Sequence, residues 1–260
     1  MNLEVLISCM NQKNMDLIKR SNIQSDVVVI NQCSINKRYK YSFSDRFGNE
    51  CRAFVIHTSE RGLSNSRNMA IFNAKGDICL LCDDDEVLVD NYVDIIIRAF
   101  NDYPDIDIFA FIVNAPHKQL YSKREKNIGY IGAMKISSWQ IAFRRKSIID
   151  NNIQFDESMG SGTGNGGGEE IRFLFDCLQK GLKIRYCPIK IASVSQTDSK
   201  WFDGFTNKYF LNRGWSNRRI LGLPLAWCYA LYFSVKNYPK YHSDNTFWNA
   251  LYYQLKGTFK

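Results

Sequence analysis

The chain has 260 residues, of which 45% are apolar and 23% are charged, with a net charge of +8. This balance is that of a folded globular protein and excludes a disordered or collagen-like chain. The longest apolar run, Leu221 to Val235, has about 15 residues. A membrane-spanning helix needs about 20, so a conventional transmembrane protein is not expected. The N-terminal residues lack a signal-peptide pattern, and we therefore expect a cytoplasmic protein.

Short apolar segments alternate with helical patterns along the first 113 residues. Strands that are apolar on both faces and alternate with helices indicate an α/β fold with a mostly parallel sheet. Ligands of such sheets bind beyond the carboxyl ends of the strands. The predicted strands are 3–7, 26–30, 54–57, 77–82 and 107–113, and the predicted helices are 15–21, 64–73 with Ser64 as N-cap, and 91–101.

The pattern changes after Asn114. Residues 114–127 are predicted to form a loop, and residues 128–145 an extended segment. Six of the nine residues from Gly160 to Gly168 are glycine, which is typical of a loop that is mobile or closely approached by other backbone. Glu169 and Glu170 follow, and the spacing predicts a helix over 171–180 that ends at Gly181.

The eight cysteines are predicted to be reduced thiols, because most lie within apolar runs. Cys79 and Cys82 form the one CxxC pair, which falls in a predicted strand. Residues three apart in a strand point to opposite faces. This spacing therefore disfavours a shared metal or a redox pair. The three histidines are isolated and have no metal-ligand spacing.

Four consecutive carboxylates, Asp83 to Glu86, follow the fourth predicted strand. Adjacent carboxylates repel one another unless a cation is present. Mg²⁺ and Mn²⁺ prefer oxygen ligands and often bridge to substrate phosphates. The cluster is therefore either a metal-binding site at a strand end or a solvated acidic turn.

The second acidic feature is Glu169-Glu170 at a predicted helix start. The Gly-rich segment before it is not a P-loop or a dinucleotide motif, because no Gly-Lys-Ser/Thr follows and no strand leads directly into it. A helix N-terminus stabilises one negative charge, and a neighbouring carboxylate raises the proton affinity of the other. The pair is thus either a general base with its partner or simple helix capping.

Taken in order, these features resemble the family 2 glycosyltransferases, which have the GT-A fold. The resemblance covers about residues 3–215 and implies an α/β sheet of GT-A type, flanked by helices. The segments that carry it are Leu6-Ile-Ser-Cys-Met-Asn11, Val27-Val-Val-Ile-Asn-Gln-Cys-Ser34, Gly62-Leu-Ser-Asn-Ser-Arg-Asn68 with Ala74-Lys-Gly-Asp77, the DxD-like Asp83-Asp-Asp85, and Gly167-Gly-Glu-Glu-Ile-Arg-Phe173.

The resemblance also implies roles for individual residues. Glu170 is expected to be the catalytic base and Glu169 to hold the acceptor hydroxyls, although the reverse assignment stays open. Asp85, with Asp83, is expected to bind Mn²⁺ or Mg²⁺ at the donor diphosphate. The expected nucleotide-sugar ligands are Ser8, Met10, Gln32, Arg67, Asp83 and Asp84, and the expected acceptor-side residues are Trp139, Trp201 and Gly168.

The sequence departs from the family pattern in three respects. Asn31 and Gln32 stand where acids usually contact the base, and Met10 stands where an aromatic residue usually stacks on it. The segment 192–198 has no histidine to bind the metal. The implied reaction is an inverting transfer of a hexose or hexosamine from a UDP-sugar.

The last 60 residues differ from the rest of the chain. They hold eight Lys and Arg against two Asp, and 17 aromatic residues. Basic charge beside Trp and Tyr is typical of an element at a bilayer interface. We therefore expect a GT-A domain at 1–200 and an amphipathic helical extension at 201–260. The extension either binds the inner face of the cell membrane, near a glycan or lipid-linked acceptor, or packs on the domain.

Two other functions remain open. A sugar nucleotidyltransferase also needs clustered carboxylates and a metal, but this chain lacks the usual basic Gly-rich loop near its N-terminus. A basic, non-catalytic nucleic-acid-binding module would show steep salt dependence. The acidic cluster and the nearly neutral first 200 residues argue against nucleic acid as a partner.

Overall fold

The computed structural model describes residues 1–115, 121–194 and 204–260. In these ranges a ten-stranded mixed sheet lies between two layers of helices. The strands are β1 (Leu3–Met10), β2 (Asp26–Gln32), β3 (Lys37–Ser44), β4 (Glu50–Thr58), β5 (Ile78–Asp83), β6 (Glu86–Leu88), β7 (Ile108–Asn114), β8 (Lys126–Asn127), β9 (Ile141–Arg144) and β10 (Ile184–Val194). The helices are α1 (Asp16–Arg20), α2 (Leu63–Asn73), α3 (Tyr92–Asp102), α4 (Tyr130–Ala133), α5 (Arg145–Asp150), α6 (Glu169–Gln179), α7 (Asn207–Leu221), α8 (Leu223–Lys236), α9 (Tyr238–Tyr241) and α10 (Phe247–Gly257), with a 3-10 turn at Ser138–Gln140.

The strand order is β3-β4-β2-β1-β5-β9-β7-β10-β6, with β8 beside β10. The pairs β1–β2, β1–β5, β2–β4 and β7–β10 are parallel. Strand β9 runs antiparallel between β5 and β7, and β3 closes one edge antiparallel to β4. This mixed, mostly parallel sheet confirms the predicted fold class. The carboxyl ends of β1, β2 and β5 therefore meet at one edge.

The core lies on both faces of the sheet because its central strands are apolar on both faces. One layer includes α3, which buries Tyr92, Ile96 and Phe100 at helical spacing. The other includes α2 and α6, with Ile71 and Phe173. Such burial of apolar area is the main favourable term in folding.

The CxxC pair behaves as the sequence predicts. Cys79 packs in the layer that contains α2, and Cys82 packs in the layer that contains α3. All eight cysteines are free thiols, and Cys228 is exposed. Both cysteines of the pair therefore pack in the hydrophobic core.

The chain after residue 204 is helical as far as Gly257. Helix α7 buries Trp215 and Ile220 against the layer that contains α2 and α6. Helices α7, α8 and α10 pack on one another around Phe210, Phe233, Tyr241 and Ala250. In the part of the chain that is described, no helix is both long and apolar enough to cross a bilayer. The domain boundary at residue 200 stays a prediction.

Several sequence-based boundaries were wrong. The segment predicted as extended over 128–145 contains α4 and a 3-10 turn, and only β9 within it is a strand. Helix α2 begins at Leu63 with Gly62 as N-cap, while the hydroxyl of Ser64 donates to the Met159 carbonyl. The loop prediction at 114–127 missed β8, and residues 116–120 of it lie outside the described ranges.

Candidate active site

The carboxyl edge of the sheet brings together residues from β1 and β5. Asp83 is the last residue of β5 and lies in register with Ser8 of β1. Ser8 is buried, and its hydroxyl accepts a hydrogen bond from Ser66 of α2 at 2.8 Å. Asp83 is therefore the acidic side chain at the sheet edge where ligands of parallel strands bind.

Arg67 of α2 links this edge to the Glu169-Glu170 pair. Its side chain is only 3% exposed. Its guanidinium donates to Asp83 Oδ1 at 3.1 Å, to Glu169 Oε1 at 3.0 Å and to Ser138 Oγ at 2.7 Å. Burial lowers the pKa of Arg67, but the two carboxylates outweigh it and the net pKa is raised. Arg67 therefore fixes two acidic groups that are distant in sequence.

The two glutamates at the start of α6 have different surroundings. Gly168 is the N-cap and has a φ of 96°, a left-handed conformation that favours glycine. Glu169 is buried and paired with Arg67. Glu170 is half-buried and lines the cleft described below. The N-terminal end of the helix favours negative charge at both positions.

The acidic run after β5 divides into two parts. Partial burial raises the pKa of Asp84 and Asp85, and the charge of Asp83 raises both further. Glu86 is fully buried and accepts the Asp83 N–H at 2.7 Å. Burial and the Asp83 charge raise the pKa of Glu86 well above its usual value. Glu86 therefore shapes the turn, and of the other three carboxylates only Asp83 lines the cleft described below.

This donor set suits a divalent cation that is completed by substrate. No cluster of three or more His, Cys, Asp or Glu side chains within the described ranges is arranged to hold a metal. Mg²⁺ is usually held by one or two carboxylates together with substrate phosphates. Burial is the main cause of the raised pKa values of Asp84 and Asp85, and the Asp83 charge adds to it. A cation bound by these carboxylates would favour their charged forms.

The Gly-rich segment is closely packed. Its backbone pairs with α2 through the N–H of Leu63, which donates to the Ser161 carbonyl at 3.0 Å. On the other side it touches α7, where a Cβ on Gly166 would lie 2.0 Å from Ser216 Oγ. The sequence predicts that this segment is either mobile or closely approached by other backbone, and the structure shows close approach.

The strand end that the sequence predicts to bind the nucleotide base is held by amide side chains. Gln32 is buried, and its carbonyl accepts the Gly62 N–H at 2.9 Å. Asn31 is fully buried and bonds with the backbone of Gln12 and with His57. Met10 is 52% exposed at the end of β1.

A cleft of about 810 Å³ joins most of these features. It is bounded by α2, the 3-10 turn, the Gly-rich segment, and helices α6 and α7. Of the predicted site residues, it contains Arg67, Asp83, Trp139, Gly168, Glu169 and Glu170. Ser8, Met10, Gln32, Asp84 and Asp85 do not line it. Trp201 lies outside the described residues.

The model of the glycosyl transferase family 2 matches residues 4–168, more than half of the chain. The chain belongs to glycosyl transferase family 2. No curated protein matches the sequence. This family-2 chain is thus a glycosyltransferase, and its carboxyl-edge cleft is the candidate active site.

Solved structures show the same fold. S. aureus TarS 1–349 is 13% identical over 94% of this chain and 74% of its own length, with a TM-score of 0.61. TarS 1–349 in complex with UDP-GlcNAc is 12% identical over the same shares, with a TM-score of 0.63. TarS 1–349 in complex with UDP is 13% identical over 95% and 76%, with a TM-score of 0.61.

Several residues that line the cleft were not predicted from the sequence. Ser138 lies in a segment that was predicted to be extended, and it belongs to no recognisable sequence motif. Asn212, Arg213, Ser216 and Asn217 line the cleft from α7, beyond the region that the family model matches. Their spacing along α7 places them on one helix face. That polar face within an aromatic helix is the signal that could have identified them.

Proposed function

We propose that this glycosyltransferase moves a hexose or hexosamine from a UDP-sugar to a hydroxyl of a glycan or lipid-linked glycan, with inversion. The observation that carries the proposal is Arg67, which holds Asp83 of the sheet edge and Glu169 of α6 in one cleft. In this proposal Asp83 lies at the donor end, and its contact with Arg67 supports a donor bound beside the two glutamates. The complexes of TarS with UDP-GlcNAc and UDP support the choice of donor.

Glu170 is our candidate for the general base. Glu169 is buried and already accepts a hydrogen bond from Arg67. Glu170 lines the cleft, where an acceptor hydroxyl can reach it. In this proposal Glu170 takes the proton of that hydroxyl while its oxygen bonds to the anomeric carbon. The bond from that carbon to the nucleoside diphosphate breaks at the same time, so the configuration inverts.

Asp85 and Asp83 would hold Mn²⁺ or Mg²⁺. When bound, such an ion neutralises charge on the leaving diphosphate. Ser8, Met10, Gln32 and Asp84 remain our candidates for the nucleotide side, near the ends of β1, β2 and β5. Trp139 and Gly168 line the cleft and are candidates for the acceptor side. The role of Trp201 stays a prediction.

The deciding experiment measures nucleoside diphosphate release from a panel of nucleotide sugars, with Mn²⁺ and with EDTA. For Glu170→Gln we expect a rate loss of about 10²–10⁴, the usual contribution of a general base. UDP affinity should stay unchanged, because Glu170 acts on the acceptor. Asp85→Ala should lose the metal dependence, and the exposed Glu50→Gln on β4 is the matched control.

Three outcomes would contradict the proposal. Release of pyrophosphate would identify a nucleotidyltransferase. A larger loss in Glu169→Gln than in Glu170→Gln would reverse the two roles. No release from any donor would remove the proposed reaction and favour a binding module.

We further propose that the protein acts at the inner face of the cell membrane. Helix α8 exposes Leu225, Leu231 and Val235, and α10 exposes Trp248 and Tyr252. We call these five residues the apolar face. The ring of Trp227 on α8 lies 6.0 Å from that of Phe259, which follows α10. Exposed lysines at 236, 240 and 256 lie in or between these helices. Anionic lipids of the cytoplasmic leaflet attract such basic surfaces.

Vesicle sedimentation tests this location. The protein should bind vesicles that contain phosphatidylglycerol, and added NaCl should weaken binding because the attraction is partly electrostatic. The double variant Trp248→Ser/Tyr252→Ser should lose most binding. Phe72→Ser, which removes an equally exposed aromatic ring on α2, is the control. Equal binding to neutral vesicles, or equal loss in the control, would overturn the location.

A further inference from the structure

Helix α7 presents a polar face to the cleft that the proposed reaction does not use. Asn212, Arg213, Ser216 and Asn217 lie on this face and line the cleft opposite Gly-rich backbone. Ser216 and Asn217 are only 6% and 7% exposed. Polar side chains this deeply buried are normally hydrogen-bonded.

Three atoms on this face lack such partners among the described residues: Arg213 Nε, Ser216 Oγ and Asn217 Nδ2. The two nitrogens are donors, and the hydroxyl can donate. Leaving buried donors unpaired costs free energy. A ligand that brings acceptor oxygens into this part of the cleft would offer partners to these donors.

The positive charge on this face indicates the chemical class of the ligand. The Arg213 guanidinium lies 3.6 Å from the centre of the Phe233 ring and donates to the hydroxyls of Tyr209 and Tyr229 at 3.3 Å each. These contacts fix the guanidinium plane without neutralising its charge. Within the described part of the chain, none of the ion pairs involves Arg213. Lys208 adds a second positive charge at the cleft.

We propose that Arg213, Ser216 and Asn217 form an acceptor subsite that binds an oxyanion, a phosphate or a carboxylate, on the sugar acceptor. An arginine held flat by packing is suited to such groups because its planar donors match their oxygens. The subsite selects anionic over neutral acceptors. This inference rests on the proposed transferase function and names its acceptor class.

Binding to the full chain tests the subsite without turnover. The probes are UDP, glucose 1-phosphate, glucuronate and glucose, each measured by calorimetry. We expect the sugar phosphate or the uronate to bind at least about tenfold more tightly than glucose, as one charge-assisted contact would give. Arg213→Gln should abolish that preference and leave UDP affinity unchanged. Arg218→Gln, an exposed arginine on the same helix, is the control.

Asn217→Leu is the second variant. It removes an unpaired buried donor at similar volume, so the thermal midpoint should hold or rise while affinity for the anionic sugar falls several-fold. Loss of UDP affinity in Arg213→Gln would assign this residue to the donor diphosphate and overturn the subsite. UDP binding with no preference for anionic sugars would overturn the subsite alone. Failure of every probe, UDP included, would count against both proposals.

Discussion

At the scale of single residues, the Arg67 guanidinium stands between two carboxylates and a serine hydroxyl in a buried position. Arg67→Met should destabilise the protein by about 3–5 kcal/mol, because it leaves Asp83 and buried Glu169 without their cation. Arg67→Lys should cost less, since it keeps the charge but loses the planar set of donors that reaches Asp83, Glu169 and Ser138 together. Urea denaturation would measure the free energy of unfolding of both variants.

The double variant Arg67→Met/Glu169→Leu separates the charge effect from packing. Removing the stranded carboxylate should restore part of the stability that Arg67→Met loses. A double variant no more stable than Arg67→Met would contradict this account. Arg218→Met serves as a control for replacing an arginine at an exposed position.

The residue types of this site could be predicted from sequence, but their contacts could not. The sequence indicated the acidic residues because of their positions: Asp83 comes at the end of a predicted strand, and Glu169 and Glu170 come at the start of a predicted helix. Arg67 was assigned to the nucleotide from its place in a motif. That role stays a prediction. The contacts of its guanidinium with Glu169, 102 positions away, and with Ser138, in a segment with no clear pattern, were not predicted. Such pairings depend on tertiary packing, which local sequence does not encode.

At the scale of elements, Gly166 of the Gly-rich segment is required by its close contact with α7. A Cβ on Gly166 would lie 2.0 Å from Ser216 Oγ and 2.6 Å from the Asn212 carbonyl oxygen. Gly166→Ala should therefore push the segment away from α7, lowering stability by about 1–3 kcal/mol and reducing turnover. Gly167→Ala is the control, because its Cβ would meet only Glu169 Oε2 at 3.8 Å. Equal thermal midpoints for the two variants would contradict the packing argument.

The elements that sequence predicted best are those with a strong pattern. Strand β5 is a continuous apolar run, and α3 repeats apolar residues at helical spacing. Strand β3 was missed because its side chains alternate at an exposed edge and include many charges. Strand β10 was missed because Pro188 and Lys190 interrupt it, where its register with β7 also shifts. Strand β9 lies within the segment predicted to be extended, but its four residues are too few for a periodic signal that would set its bounds.

At the scale of the whole molecule, Asp156 ties α7 to the segment before the glycines. Its carboxylate accepts a salt bridge from Arg219 at 2.6 Å and hydrogen bonds from Ser158. Burial raises the pKa of Asp156, but these bonds outweigh it and lower the net pKa below its usual 3.8. The charged form therefore stabilises the fold above that pH, and the contribution is lost as the pH falls below it.

Asp156→Asn should consequently cost about 0.5–1 kcal/mol at pH 7, since Arg219 is partly solvated. The difference from the unsubstituted protein should stay constant from pH 7 to about 5 and shrink as the pH falls below 3.8 toward 3. Urea midpoints of the two proteins across that range would measure it. A difference that does not depend on pH would show that packing, not charge, explains the effect.

The pairing of β10 with β7 has a practical consequence for the design of shorter versions of this protein. A fragment cut to residues 4–168 would keep β9 and β7 but lose β10, the parallel neighbour of β7. The exposed edge of β7 would then offer a row of unpaired amides and carbonyls to other chains. Such a fragment should accumulate as aggregates, so the shortest useful version of this enzyme must extend through β10 and retain α7.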